Sequence, residues 1–198
     1  MRSLLTATIT LTLCTIPALR AESLPNLTVL LSVDGKASTA ALNEMKSELN
    51  SIMKETGRNL DVRLRSQASA NETFEDVVLV KLKGTCKMER FIPLIDERGP
   101  LAWTHSTNGA ILPFAEMSCD RIANAVAGAL WGGERKQADK LLGRAMGRVL
   151  AHELYHIIGK THEHNVDGSL AKEAISAKQL ISDKRITFDV RDLNRMTP

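Results

Sequence analysis

Four of the five histidines of this chain lie between positions 152 and 164, and residues 152–162 read HELYHIIGKTH. On a helix, His152 and His156 would lie one turn apart on the same face, so both imidazoles could reach one tetrahedral metal ion. Imidazole nitrogens are typical zinc ligands, and the spacing therefore predicts a zinc (Zn2+) site.

The residues around this pair predict a catalytic rather than a structural site. Glu153 follows the first ligand directly, close enough to hold and deprotonate a water as a general base. Gly159 is predicted to take the left-handed conformation that ends a helix and turns the chain. His162 then arrives as the third ligand, and three protein ligands leave a fourth position open, as in catalytic zinc sites.

Other ligand sets fit the same segment. His164 could replace His162, because a shift of two residues is within the freedom of a loop. Glu163 and Glu173 keep open a site of two histidines and one glutamate. Either glutamate would leave the spacing between Gly159 and His162 unexplained.

A long amphipathic helix over residues 134–158 is predicted to carry the first two histidines. Its periodic face begins with apolar residues and continues with polar ones: Ala138, Leu141, Leu142, Ala145, Val149, His152, Glu153 and His156. The helix is therefore expected to pass through the middle of the molecule, with the site near its C-terminal end.

Short apolar and β-branched runs predict a sheet in front of this helix. The predicted strands are residues 27–33, 60–64, 77–82, 101–105 and 110–114. A helix separates the first two strands, with Ser38 or Thr39 as its N-cap and Gly57 as the left-handed residue at its C-terminal end. This order predicts parallel pairing. A turn at residues 106–109 separates the last two.

The remaining segments predict shorter elements. Asp120 is the expected N-cap of a helix over residues 122–131, and Trp131 is expected in the core. Ser176 and Gln179 form a capping box, and residues 186–190 are predicted as a brief strand. The C-terminal part is therefore expected to be small and irregular.

The N-terminus resembles a secretory signal peptide, with Arg2, an apolar stretch over residues 4–19 and Ala21 before a plausible cut. Its removal leaves a single domain at residues 22–198, secreted or periplasmic; an uncleaved anchor is the alternative. Lys+Arg then falls from 26 to 24, against 23 acidic residues, for a net charge of +1. This balance gives no case for a nucleic-acid partner, and we expect a monomer without stable membrane association.

Cys86 and Cys119 remain after signal removal. In an exported protein, an even pair of cysteines predicts a disulfide bond. Two buried free thiols are the alternative, because bridging depends on the Cα separation.

The pattern H-E-x-x-H-x-x-G-x-x-H resembles the metzincin zinc endopeptidases. Chance would produce it in roughly one of a hundred thousand chains of this composition. Glu163 directly after His162 is similar to the astacin subgroup. Residues 101–114, LAWTHSTNGAILPF, resemble the matrixin-type region in which an antiparallel edge strand binds extended substrate. The resemblance implies an α/β zincin fold: a mixed, twisted sheet with an antiparallel edge strand, one backing helix and a long active-site helix.

The implied reaction is peptide hydrolysis. Zinc would polarise the scissile carbonyl, and Glu153 would take a proton from the attacking water and pass it to the leaving amine. Substrate would add as a strand beside residues 109–114.

Two departures from the family leave other functions open. Met196 is the only methionine after His162 and lies too near the end for the helix that follows the family's Met-turn. Tyr155, the only tyrosine, lies inside the predicted helix, so no oxyanion partner is assigned. The alternatives are a zinc-binding protein that does not catalyse, in which Glu153 is merely solvated, or a zinc hydrolase that acts on something other than a peptide.

Overall fold

The computed structural model describes residues 26–89, 99–165 and 169–197, and the predicted signal peptide at residues 1–21 lies outside them. The five strands are β1 Asn26–Val33, β2 Asn59–Leu64, β3 Val77–Lys83, β4 Ala102–Thr107 and β5 Ala110–Ser118. The five α-helices of this part of the chain are α1 Thr39–Met53, α2 Cys119–Ala129, α3 Ala138–Gly159, α4 Ala177–Ile181 and α5 Val190–Met196. In these residues, no helix is both long and apolar enough to cross a membrane.

The strands form one mixed sheet in the order β2-β1-β3-β5-β4. The pairs β1–β2, β1–β3 and β3–β5 are parallel, and β4 is antiparallel to β5. The predicted mixed sheet with an antiparallel edge strand is confirmed. That edge strand is β4, within the region of residues 101–114 where it was predicted. The expected addition of substrate beside residues 109–114 does not fit the sheet, because residues 110–114 belong to β5, which is paired on both sides by β3 and β4.

A tight hairpin joins β4 and β5. Asn108 (φ 49°) and Gly109 (φ 79°) both have positive φ, and Thr107 pairs directly with Ala110. Two central residues of this kind favour a tight hairpin turn. The sequence order did not show that β5, rather than β4, pairs with β3.

Helix α1 backs the long helix α3. The side chain of Ser38 accepts a hydrogen bond from the amide of Ala41, which confirms one of the two predicted N-caps. Gly57 has the predicted left-handed conformation (φ 68°), but it ends a 3-10 turn that follows α1 and not α1 itself. The two helices approach closely at Gly143, where a Cβ atom would lie 2.3 Å from the Ala41 carbonyl oxygen. Any larger residue at position 143 would therefore push α3 away from α1.

Helix α3 starts later than predicted, because residues 132–137 form a 3-10 segment before it. It carries a fully buried cation, Arg148. The Nε atom of Arg148 donates to Glu48 on α1 at 2.7 Å, and its terminal nitrogens donate to the carbonyls of Gln179 and Lys184. This one side chain joins α3 to α1 and to the chain around α4.

The disulfide between Cys86 and Cys119 is present, with a Cα–Cα distance of 4.8 Å. Its second cysteine opens α2, whose N-cap is Ser118 rather than the predicted Asp120. Asp120 instead accepts a hydrogen bond from the amide of Thr85 at 2.9 Å. The carboxylate and the disulfide thus tie the chain after β3 to the start of α2.

The C-terminal part matches the sequence only partly. The capping box of Ser176 and Gln179 at the start of α4 is confirmed. The predicted strand at residues 186–190 is wrong, because Asp189 caps α5 and its side chain accepts from the amide of Asp192. Trp131 is 78% exposed, so its predicted place in the core is also wrong.

Candidate metal centre

His152 and His156 lie on one face of α3, as their spacing predicted, and their Nε2 atoms are 3.0 Å apart. The Nδ1 atom of His152 is 2.9 Å from the carbonyl oxygen of Leu170, and that of His156 is 2.7 Å from the carbonyl oxygen of Thr161. A carbonyl can only accept, so each Nδ1 carries the proton and donates. Both Nε2 atoms are then lone-pair acceptors that face each other, an arrangement that a shared cation stabilises.

Burial keeps both imidazoles neutral. It lowers the pKa of His152, and it lowers the pKa of His156 to about 4, with the neighbouring His152 as the next contribution. Neutral imidazole is the form that binds a metal ion. The pair is therefore ready to bind a cation at neutral pH without first losing protons.

A third histidine, His164, completes the cluster. Its ring stacks on His152 with centroids 5.1 Å apart and meets the edge of His156 at 4.7 Å. One nitrogen from each of the three rings lies within 4.8 Å of the other two, so these residues can hold a metal ion. His162, the third ligand that the motif predicted, lines the same cavity but lies outside this group.

The turn after α3 differs from the prediction. Gly159 is still helical, and Lys160 takes the left-handed conformation (φ 46°) expected for Gly159. The amide of Thr161 then donates to the carbonyl of His156 at 3.2 Å, which closes the helix end. The helix therefore continues one residue further than the motif indicated.

Glu153 is 5% exposed and lies beside the histidines. The hydroxyl of Thr104 on β4 donates to its Oε2 atom at 2.7 Å. Burial raises the pKa of Glu153 to about 7, and the Thr104 hydrogen bond acts in the opposite direction. A carboxyl group with a pKa near neutrality is suited to accept and return a proton at physiological pH.

These side chains line a cavity of about 430 Å³ between the edge strand and α3. Residues 100–104 form one wall, and apolar side chains from Val149, Ile175 and Leu180 form part of another. Glu173 also lines the cavity, but it does not belong to the metal-binding group. The cavity therefore combines the histidine cluster, a buried acid and an apolar wall.

Comparison with known proteins identifies the fold. No family model matches the chain, and a search of curated proteins finds no match. Among solved structures, the chain is similar to archaemetzincin from Methanopyrus kandleri, with a TM-score of 0.52 and 14% sequence identity over 90% of this chain and 96% of that chain. The fold is that of archaemetzincin. At this identity the likeness concerns the fold alone.

In this archaemetzincin-like fold, the chain after the histidines is held by Asp192, which is 1% exposed. Its carboxylate accepts from the amide group of Asn165 at 2.5 Å and from the hydroxyl of Ser169. Leu170, whose carbonyl binds His152, follows Ser169 directly, and its amide donates to Thr187. The only sign of this support in the sequence is the pair Asp189 and Asp192, which is spaced as a helix cap.

The residues discussed for the Met-turn and the oxyanion do not line the cavity. Met196 is fully buried at the end of α5. Tyr155 is buried and stacks on Phe188 with centroids 5.9 Å apart. His105 is also separate from the cluster: it stacks on Phe114 and accepts a hydrogen bond from Trp103.

Proposed function

We propose that this protein is a zinc-dependent peptidase. The observation that carries the proposal is the pair of Nε2 atoms of His152 and His156, 3.0 Å apart, beside the buried carboxyl of Glu153 in a cavity bordered by an edge strand. A third histidine of the segment after α3 completes the ligand set; the motif predicts His162. The archaemetzincin-like fold supports a peptidase reading.

Glu153 is proposed as the general base. When bound, a zinc ion would polarise the scissile carbonyl and acidify a water molecule. Glu153 takes the proton of the attacking water at its carboxylate and delivers it to the leaving amine. Thr104 holds the Oε2 atom and so fixes the orientation of the carboxylate.

The substrate is proposed to bind along β4 rather than along β5. Residues 100–104 border the cavity, and β4 is an edge of the sheet formed by the described strands. An extended peptide can add to such an edge through main-chain hydrogen bonds. The apolar wall at Val149, Ile175 and Leu180 would accept an apolar side chain of the substrate.

Export is a separate part of the proposal. It is supported by the signal-like residues 1–21 and agrees with the disulfide between Cys86 and Cys119. The mass of the protein recovered outside the cytoplasm of a bacterial host tests it. We expect the mass of a chain that begins at Glu22, directly after Ala21. A full-length chain bound to the membrane would refute cleavage.

The test of catalysis is cleavage of a mixed peptide library by the zinc-loaded protein, beside Glu153→Gln of equal zinc content. We expect cleavage by the wild type, loss of cleavage in the variant, and loss after chelation of zinc. Zinc bound at one equivalent with no cleavage of any peptide would contradict the peptidase proposal and favour a zinc-binding protein.

A further inference from the structure

We propose that His164, and not His162 of the H-E-x-x-H-x-x-G-x-x-H pattern, is the third zinc ligand of this chain. The inference rests on the proposed zinc site. It changes which residue completes that site.

The turn after α3 lies one residue later than the motif places it. In the motif, the third ligand lies three positions after the glycine at which the chain turns. In this chain, the turn lies at Lys160 instead of Gly159. The residue three positions after Lys160 is Glu163. Its carboxylate accepts from Arg195 on α5 at 2.5 Å, so it is directed to α5.

The side chains of residues 161–164 contact two different sides of this segment. The hydroxyl of Thr161 accepts from Arg195 at 3.0 Å and from the amide of Glu163 at 3.1 Å. Thr161 and Glu163 therefore both contact the α5 side of the segment. His162 and His164 both line the cavity.

Of these two cavity residues, His164 reaches the histidine pair. Its ring contacts both His152 and His156, and its nitrogen belongs to the group of three within 4.8 Å. Three imidazoles around one point form the ligand set of a catalytic zinc site with one open position. His162 is then a wall residue of the cavity.

The residue after His164, Asn165, anchors this part of the chain. The amide of Asn165 donates to the carbonyl of Ala171 at 3.0 Å, and the side chain of Asn165 donates to both Asp189 and Asp192. Ligands held by neighbouring hydrogen bonds keep the orientation that a metal ion needs.

His164→Ala and His162→Ala form a matched pair for the test. Both side chains are exposed and lie two positions apart, so the two variants should fold equally well. Zinc affinity is measured by competition with a chromophoric chelator, and circular dichroism confirms the fold. We expect His162→Ala to stay within a few-fold of the wild type. We expect His164→Ala to lose about 100-fold or more, since even removal of a residue that only supports a ligand costs about 10- to 100-fold.

A third variant, His164→Cys, separates ligation from a purely structural role. A thiolate is itself a zinc ligand, so this variant should recover most of the affinity. With cobalt in place of zinc, it should gain an absorption band from sulfur-to-cobalt charge transfer. A cysteine that is merely near the metal would not produce this band.

The outcomes separate this inference from the proposed function. Failure of the wild type to bind zinc would refute the zinc site as a whole. A large loss in His162→Ala with little change in His164→Ala would overturn only the assignment of His164. Equal losses in both alanine variants, or a cobalt complex of His164→Cys without the new band, would also overturn it.

Discussion

In the zinc-free protein, the buried carboxyl of Glu153 should make stability depend on pH in a way that Glu153→Gln removes. Burial raises the pKa of this group from 4.5 to about 7 in the folded state. The folded protein therefore binds more protons at Glu153 than the unfolded chain does between about pH 4.5 and pH 7. Stability must fall as the pH rises through that range.

The size of the effect follows from the two pKa values. One pKa unit corresponds to about 1.4 kcal/mol, so a rise from 4.5 to about 7 costs about 3 kcal/mol once the carboxyl ionises. Glutamine has the same shape, accepts the Thr104 hydrogen bond through its carbonyl and does not ionise. Glu153→Gln should therefore match the wild type near pH 4.5 and exceed its stability by about 3 kcal/mol above pH 7.

Urea denaturation of both proteins after removal of zinc, at a series of pH values, measures this difference. The lowered pKa of His156 makes both proteins less stable as the pH falls toward 4, and it cancels in the comparison. With zinc bound, the cation would favour the carboxylate and the difference should shrink. A difference between the two zinc-free proteins that does not change with pH would refute the argument that burial penalises the ionised carboxyl.

Three further predictions concern the surroundings of the site. Thr104→Val removes a hydrogen bond that orients the carboxylate of Glu153 and lowers its pKa. At unchanged zinc content, kcat/KM of the zinc-loaded enzyme should therefore fall several-fold, and by more near pH 6 than near pH 8; an unchanged kcat/KM at pH 6, or an equal loss at both pH values, would refute this. Arg148→Met leaves the Glu48 carboxylate and two carbonyls without their hydrogen-bond donor, and it should lower the free energy of unfolding by about 3 kcal/mol in urea denaturation. A change under about 1 kcal/mol would show that the buried ion pair contributes little. Replacement of both Cys86 and Cys119 by alanine removes a cross-link between residues 33 positions apart, and it should lower the free energy of unfolding by about 3 to 4 kcal/mol in the same measurement. Zinc affinity should stay unchanged. Loss of zinc binding would contradict the separation of the disulfide from the site.

The sequence predicted the parts of this structure that depend on local periodicity. The 3.6-residue period placed His152, Glu153 and His156 on one face of a long helix, and strands were expected close to where all five are found. These features follow from patterns within single segments, which any fold that buries their apolar side must respect.

The errors concern choices between segments. The pattern of residues 101–118 does not indicate whether β4 or β5 pairs with β3, because this pairing depends on how the hairpin is placed against the rest of the sheet. The capping box at Asp189 and Asp192 competed with an apolar strand pattern over the same residues, and the helix cap prevailed.

The end of α3 shows the same limit at the site itself. Gly159 is the residue best suited to a left-handed turn, yet Lys160 adopts that conformation. With the turn at Lys160, the amide of Thr161 donates to the carbonyl of His156, and the ring of His156 donates to the carbonyl of Thr161. A shift of one residue in a turn moves the chain enough to exchange the histidine that reaches the cluster. Motif spacing alone could not reveal that exchange.

The hydrogen bond from His152 to the carbonyl of Leu170 has a consequence for synthesis of the chain. When the ribosome has just completed the last histidine, His164, the chain still lacks Leu170 and Asp192. The carbonyl of Leu170 orients the ring of His152, and Asp192 holds Asn165, the residue after His164. A truncated chain that stops soon after position 164 would therefore retain every histidine and still bind metal poorly. We therefore expect tight metal binding only after the chain through α5 has been synthesised and α5 has docked.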